Sequence, residues 1–279
     1  MKAQPLTDFQ RLSINDATTK IQLTLEEEIR LYAEMGIQGI SIWRDKLAQC
    51  GVDRAAKLLD EYRMTVTGLC RGGMFPAATA QGRQEAIEDN RRAIEEAAAI
   101  KAQCLVLVVG GMPEGSKDIA GARQMVLDGL HSIIEYARSL QVPLAIEPLH
   151  PMYAADRACV NTMAQANDLC DEVGEGIGIA LDVYHVWWDP DLRHQIQRAG
   201  KARLLGFHIC DWLVPTQDML LDRGMMGDGV IDIPQIRGWV EAEGYTGFHE
   251  VEIFSAENWW QKPAEEVLTV CKERYLKVV

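Results

Sequence analysis

Acidic and imidazole side chains stand at the ends of four apolar runs. Glu147 follows Leu144-Ala-Ile, Asp182 closes Ile177-Gly-Ile-Ala-Leu, His208 closes Leu204-Leu-Gly-Phe, and Glu250 and Glu252 end Tyr245-Thr-Gly-Phe-His-Glu-Val-Glu. A run that is apolar throughout reads as a parallel strand covered on both faces. Pro148 has no N–H for a further ladder bond, so the strand before it stops and leaves Glu147 at its C-terminal mouth. Carboxylates gathered without a cation repel and raise one another's pKa values; a divalent ion removes that penalty and keeps each of them charged. Three oxygen donors and one imidazole suit Mn²⁺, with Mg²⁺, Co²⁺ and Zn²⁺ as alternatives that ligand type does not separate. A single strand-end acid is ordinarily a helix cap or an ion-pair partner, but four such groups together are hard to bury without a cation. In the last run Glu250 and Glu252 share one face and His249 and Val251 the other, so residue spacing leaves either glutamate as the fourth donor.

The elements that must position these groups alternate along the chain. Strands are expected at 11–15, 38–43, 65–69, 104–109, 142–147, 177–182, 203–209 and 246–252. Helices are expected at 25–35, 52–62, 82–100, 119–140, 158–172 and 190–198, then from Pro234 and from Pro263 to Tyr275. Thr24 with Glu27 three positions on forms a capping box, and Pro234 suits a first helical turn. Arg71-Gly-Gly-Met-Phe-Pro76 reads as a glycine-rich loop over a site, and 211–231 as a second long loop. A Rossmann sheet requires a phosphate-cradling glycine motif after its first strand, where this chain has Asn15-Asp-Ala-Thr-Thr. Eight strand–helix units with polar groups at the strand ends, and no compositional break over residues 1–279, predict a single-domain (β/α)8 TIM barrel.

Composition narrows the function classes. The chain has 41 acidic residues against 28 basic and a formal net charge of -13, which disfavours a surface that tracks nucleic-acid phosphates. No run approaches the roughly 20 apolar residues of a membrane span, and the start has no export-type apolar core. Seven cysteines, an odd number without a Cys-x-x-Cys pair, read as buried free thiols. A cytoplasmic protein with a small-molecule partner, and neither nucleic acid nor membrane, is expected. The tryptophan-rich Asn258-Trp-Trp260 is a candidate contact for a homo-oligomer.

The order of Ser13-Ile-Asn-Asp-Ala-Thr-Thr19, Ile146-Glu-Pro148, Leu181-Asp-Val-Tyr-His185, Phe207-His-Ile-Cys-Asp211, Gly227-Asp-Gly-Val-Ile-Asp232 and Val251-Glu-Ile-Phe254 resembles the xylose isomerase-like TIM-barrel superfamily. That group holds sugar isomerases, epimerases and endonuclease IV; the likeness spans the chain and is nearest to the inosose (2-keto-myo-inositol) isomerase branch. The resemblance implies metal ligands at Glu147, Asp182, His208 and Glu252. Glu252 is preferred to Glu250 because the family's glutamate directly precedes an aliphatic–phenylalanine pair. It also implies that Glu147 and Glu252 act as paired acid and base, and that His185 lies near substrate or metal and orients a hydroxyl. The activity implied is a divalent-metal-dependent isomerase or epimerase of a small ketose or keto-inositol, working through proton transfer and a metal-stabilised enediolate.

Several residues are candidate walls for such a substrate: Trp43, Trp187 and Trp212 for stacking on sugar C–H faces, His150 just past Glu147, and Asp228 in the Gly-Asp-Gly loop. Asp211 is placed either to orient His208 or to cap its loop. Lys46 and Arg71 are the nearest basic residues, and the lack of a dedicated nest of donors favours an unphosphorylated substrate. Three rivals remain. A lyase or dehydratase acting on a 3-keto sugar or keto-inositol would share the first half of the reaction. An endonuclease IV-like enzyme would need a three-zinc histidine cluster that six histidines and an acidic chain poorly supply. A non-catalytic sugar-binding barrel would keep costly buried carboxylates without use.

Overall fold

Eight parallel strands close on themselves in the computed structural model, which describes residues 3–279. The first half of the barrel contains β1 (Leu12–Asn15), α1 (Leu25–Glu34), β2 (Gly39–Trp43), α2 (Arg44–Cys50), α3 (Val52–Glu61), β3 (Thr65–Gly73), α4 (Ala80–Ala99) and β4 (Leu105–Val108). The second half contains α5 (Ile119–Ser139), β5 (Leu144–Ile146), α6 (Met163–Val173), β6 (Ile177–Asp182), α7 (Val183–Val186), α8 (Leu192–Arg203) and β7 (Leu204–Ile209). A small antiparallel pair, β8 (Asp211–Trp212) and β9 (Arg223–Gly224), precedes α9 (Ile233–Ala242), the last barrel strand β10 (His249–Val251) and α10 (Ala264–Val278). Around the barrel the order is β1-β10-β7-β6-β5-β4-β3-β2. The expected (β/α)8 barrel is therefore the fold. Among the described residues no helix is long and apolar enough to cross a membrane.

Strand periodicity sorts the side chains into two layers. Leu12, Ile14, Leu105, Leu107, Ile146, Ile179, Leu181, Phe207 and Val251 turn outward into the large core beneath the helices. The barrel interior is lined by small residues, Cys70, Cys104, Val106, Ala145 and Ala180, which form a core of their own. Small inward residues leave room above them for larger polar ones. Ser13, Thr67 and Glu250 link across the interior, with Thr67 Oγ1 2.8 Å from Ser13 Oγ and donating to Glu250 Oε2 at 2.9 Å. The cysteines are free and all but Cys50 are buried.

Local signals are satisfied where they were legible. Thr24 and Glu27 close the capping box that opens α1, and Pro234 lies in the first turn of α9. The glycine-rich stretch after β3 differs from expectation, because Arg71, Gly72 and Gly73 continue the strand instead of forming a loop. A Cβ on Gly73 would lie 2.0 Å from the Val108 carbonyl oxygen, and its φ is +103°, so only glycine lets β3 press this closely on β4. Asn90 clamps the position, accepting from Gly73 N at 2.6 Å and donating to Gly73 O at 2.7 Å. Helix α2 was also unforeseen; it begins directly after β2 without a side-chain cap and is held by Lys46 Nζ, 2.5 Å from Glu28 Oε1.

Candidate metal and active site

Register brings the donors to one mouth. Asp182 on β6 is level with His208 on β7, and His208 with Glu250 on β10. Glu147 follows the end of β5 and Glu252 the end of β10, one inward position beyond Glu250. Glu147, Asp182, His208 and Glu252 are all buried, and each offers a ligand atom within 4.8 Å of the others. Twice a metal–ligand distance of about 2.0–2.2 Å is close to that span, so this donor set fits one divalent ion after a small contraction.

The geometry also separates the two glutamates that spacing alone left equivalent. His208 Nδ1 faces Glu147 Oε1 at 3.1 Å and Glu252 Oε2 at 3.8 Å, whereas its Nε2 lies 3.6 Å from Glu250 Oε1. Glu250 thus sits beneath the imidazole, in the place of the carboxylate that orients a metal-bound histidine. Burial opposes a charge on His208, but the carboxylates of Glu250, Glu147 and Glu252 outweigh it and raise its pKa well above the ordinary range. Asn15 Nδ2 ties the two layers together, donating to Glu250 at 2.8 Å and Glu252 at 3.1 Å. Burial pushes the Glu252 carboxyl up to about 8, against the pull of Arg223.

Arg223, on β9, is the site residue that sequence reasoning missed. Its Nη1 donates to Asp182 Oδ2 at 2.7 Å and to Glu252 Oε2 at 3.2 Å. The guanidinium is also stacked over Tyr184, with Cζ 4.5 Å from the ring centre. Nη2 is 3.2 Å from His185 Nε2. A guanidinium has no acceptor, so His185 Nε2 must accept and the ring proton lies on Nδ1, which is buried and has no partner. Burial lowers the His185 pKa to about 3, leaving a neutral imidazole. Burial would also raise Asp182, but the charges of Arg223 and His208 hold it below the usual carboxylate range. Nothing in the local sequence marks Arg223, one basic residue in a polar loop.

The other expected site residues divide. Trp43 lines a cavity at the mouth, together with Glu147, His185, Arg223 and Glu252. Its indole N–H donates to Asn15 Oδ1 at 3.0 Å. Trp187, Trp212 and His150 do not line that cavity. They form an aromatic stack beside it, with His150 5.0 Å from Trp212 and Trp212 5.9 Å from Trp187. Asp228 is directed elsewhere, paired with Arg274 at 2.8 Å, because the Gly-Asp-Gly turn packs on α10. Asp211 accepts from the backbone N–H groups of Trp212, Gly227 and Ile231, so it caps its loop and does not orient His208. Lys46 is buried against Glu28 and the Leu23 carbonyl, away from the mouth. Trp259 is buried and Trp260 donates to Ala17 O at 2.8 Å, so both indoles pack within the chain.

Comparison with known proteins agrees with the barrel fold. A family model described as xylose isomerase-like TIM barrel matches residues 29–273. The chain is 25% identical to an inosose isomerase of Halalkalibacterium halodurans, with 96% of each chain covered. A crystal structure from Sinorhizobium meliloti 1021 superposes with a TM-score of 0.96 at 57% identity, covering 97% of this chain and 99% of that one. The IolI protein with a bound zinc atom superposes with a TM-score of 0.81 at 22% identity, covering 97% and 98%.

Proposed function

The chain belongs to the xylose isomerase-like TIM barrel family, and from that premise we propose that it is a divalent-metal-dependent isomerase or epimerase of a small ketose or keto-inositol. The observation that carries this reading is the convergence of Glu147 and Glu252 on one cavity, with Asp182 and His208 completing a four-donor set. The printed activity of the inosose isomerase relative points the same way. Glu147, Asp182, His208 and Glu252 would hold the ion; Mn²⁺ suits the donors, and the zinc in IolI makes Zn²⁺ the first alternative. The chemistry a bound ion supplies is polarisation of a carbonyl and its neighbouring hydroxyl, which acidifies the adjacent C–H.

The proton work falls to the protein. Glu147 and Glu252 leave β5 and β10, strands separated in the barrel by β6 and β7, and so approach a substrate from different sides. One carboxylate takes the proton from the carbon beside the carbonyl, and the other returns a proton. Return to the opposite face gives epimerisation; return to the neighbouring carbon gives isomerisation. Arg223 holds Glu252 and Asp182 in place, and the free Nδ1–H of His185 is a donor for a substrate hydroxyl. Trp43 supplies an apolar wall.

Incubation of Mn²⁺-loaded protein with keto-inositols and free ketoses in D₂O tests the reading. Solvent deuterium should enter a carbon beside the carbonyl without loss of a fragment. Release of water or a fragment would select the lyase, and no exchange with any ketone under any of the four metals would refute the proposal.

A further inference from the structure

The rim of the same cavity carries two arginines that the proton chemistry does not use. Arg71 and Arg157 both line it, and neither has a carboxylate within ion-pairing distance among the described residues. In a chain with 41 acidic residues against 28 basic, partners are not scarce. Asp89, whose charge Arg71 feels, is taken by Arg44 at 2.8 Å and Arg92 at 3.1 Å. Asp218, which feels the charge of Arg157, accepts instead from the backbone N–H groups of Leu220 and Leu221. The two guanidiniums repel one another, and burial together with Arg157 lowers the Arg71 pKa.

Arg71 is presented there by a specific irregularity. Cys70 pairs with Val106 and Gly72 with Leu107, so Arg71 is the extra residue of a bulge in β3. Bulges re-aim side chains and gather beside active sites. Arg157 comes from the loop after β5, its Cζ 5.5 Å from the centre of the Tyr153 ring. Tyr153 also lines the cavity, is 8% exposed, and has a buried hydroxyl with no hydrogen-bond partner. Two unpaired guanidiniums and an unspent phenol donor on one wall have the donor count and charge of an oxyanion site.

We infer that Arg71, Arg157 and the Tyr153 hydroxyl form an oxyanion subsite, and that the substrate is an acidic ketose carrying a carboxylate or phosphate group away from its reacting carbons. The inference rests on the isomerase or epimerase reading for which end of the substrate meets Glu147 and Glu252. A phosphate held there would reverse the expectation of an unphosphorylated substrate, which followed from the lack of a dedicated nest of donors in a sequence where Arg71 and Arg157 are 86 positions apart.

Three ketoses on one skeleton test it: D-fructose, D-fructose 6-phosphate and D-fructuronate, titrated calorimetrically into Mn²⁺-loaded protein. At least one charged ketose should bind tenfold or more tighter than fructose, and the tighter of the two names the group. Arg71→Gln and Arg157→Gln should each reduce that preference about tenfold, the worth of a charge-assisted hydrogen bond. Arg71→Lys should restore part of it, and unchanged melting of each variant shows that folding is not the cause. Equal binding of all three ketoses, binding of none, or a preference that survives the double variant overturns the subsite. Deuterium exchange on the same samples separates the two ideas. Exchange without charge preference leaves the enzyme and removes the subsite, whereas charge preference without exchange does the reverse.

Discussion

Two groups of charged side chains are buried near the C-terminal end of the barrel, and they solve the same problem differently. One is the mouth cluster of Glu147, Asp182, His208 and Glu252 with Arg223. The other, between α1 and α2, joins Asp16, Glu28 and Lys46, with Thr19 donating to Glu28 at 2.7 Å. In the second group a single ammonium serves two carboxyls. Burial raises both acids, Asp16 to about 7 and Glu28 well above its ordinary value, so the group keeps a proton where the mouth can accept a metal. Asp16 Oδ1 and Glu28 Oε2 have no partner, yet among the described residues their oxygens do not join a set of converging donors. Buried acidity alone is therefore a poor sign of a site. Convergence of ligand atoms from several strands, with access to a cavity, distinguishes the mouth.

The contrast can be broken most directly at Glu147. Glu147→Gln should lower deuterium exchange by about 10³-fold, the scale of a lost acid–base group; an undiminished rate would remove Glu147 from the mechanism. The second cluster should respond in stability and not in chemistry. Lys46→Met strands two buried carboxyls and should cost about 3–4 kcal/mol in urea unfolding, with exchange per folded molecule nearly unchanged. A large loss of exchange at full stability would show that the two clusters are one functional unit.

A pH series sharpens the difference further. The Asp16 carboxyl is raised from 3.8 to about 7 on folding, so between those values the folded state holds a proton that the unfolded chain has released. Its contribution is therefore present below about pH 4 and lost as pH climbs through 7. Relative to the native protein, Asp16→Asn should gain about 4 kcal/mol between pH 4 and pH 8. A stability gap that stays flat across that window would contradict a buried, proton-bearing Asp16. The smallest effect is expected at Glu250. Glu250→Gln keeps the inward side chain but weakens the hold on His208, and metal affinity measured by competition with a chelator should fall about 10- to 100-fold. Equal affinity would place Glu250 in the barrel core alone.

Much of this protein was legible in the chain itself. Period-two strands and strand-end acids follow from short-range chemistry, as does the capping box of Thr24 and Glu27, and eight repetitions of one unit leave few architectures. Glu147, Asp182 and His208 were legible as candidate donors because each ends an apolar run, whereas the choice of Glu252 over Glu250 came from the family resemblance. Tertiary structure decided what depends on closure of the barrel. It set Glu250 under His208 and Glu252 beside it, although strand periodicity treats them alike. It brought Arg223 to Asp182 across 41 positions, turned Asp228 towards α10, and withdrew Lys46 into a second cluster. It also placed Arg71 and Arg157 on one wall. A side chain's chemistry is a local property, but its partner is chosen by which strands become neighbours, and no window of sequence contains both.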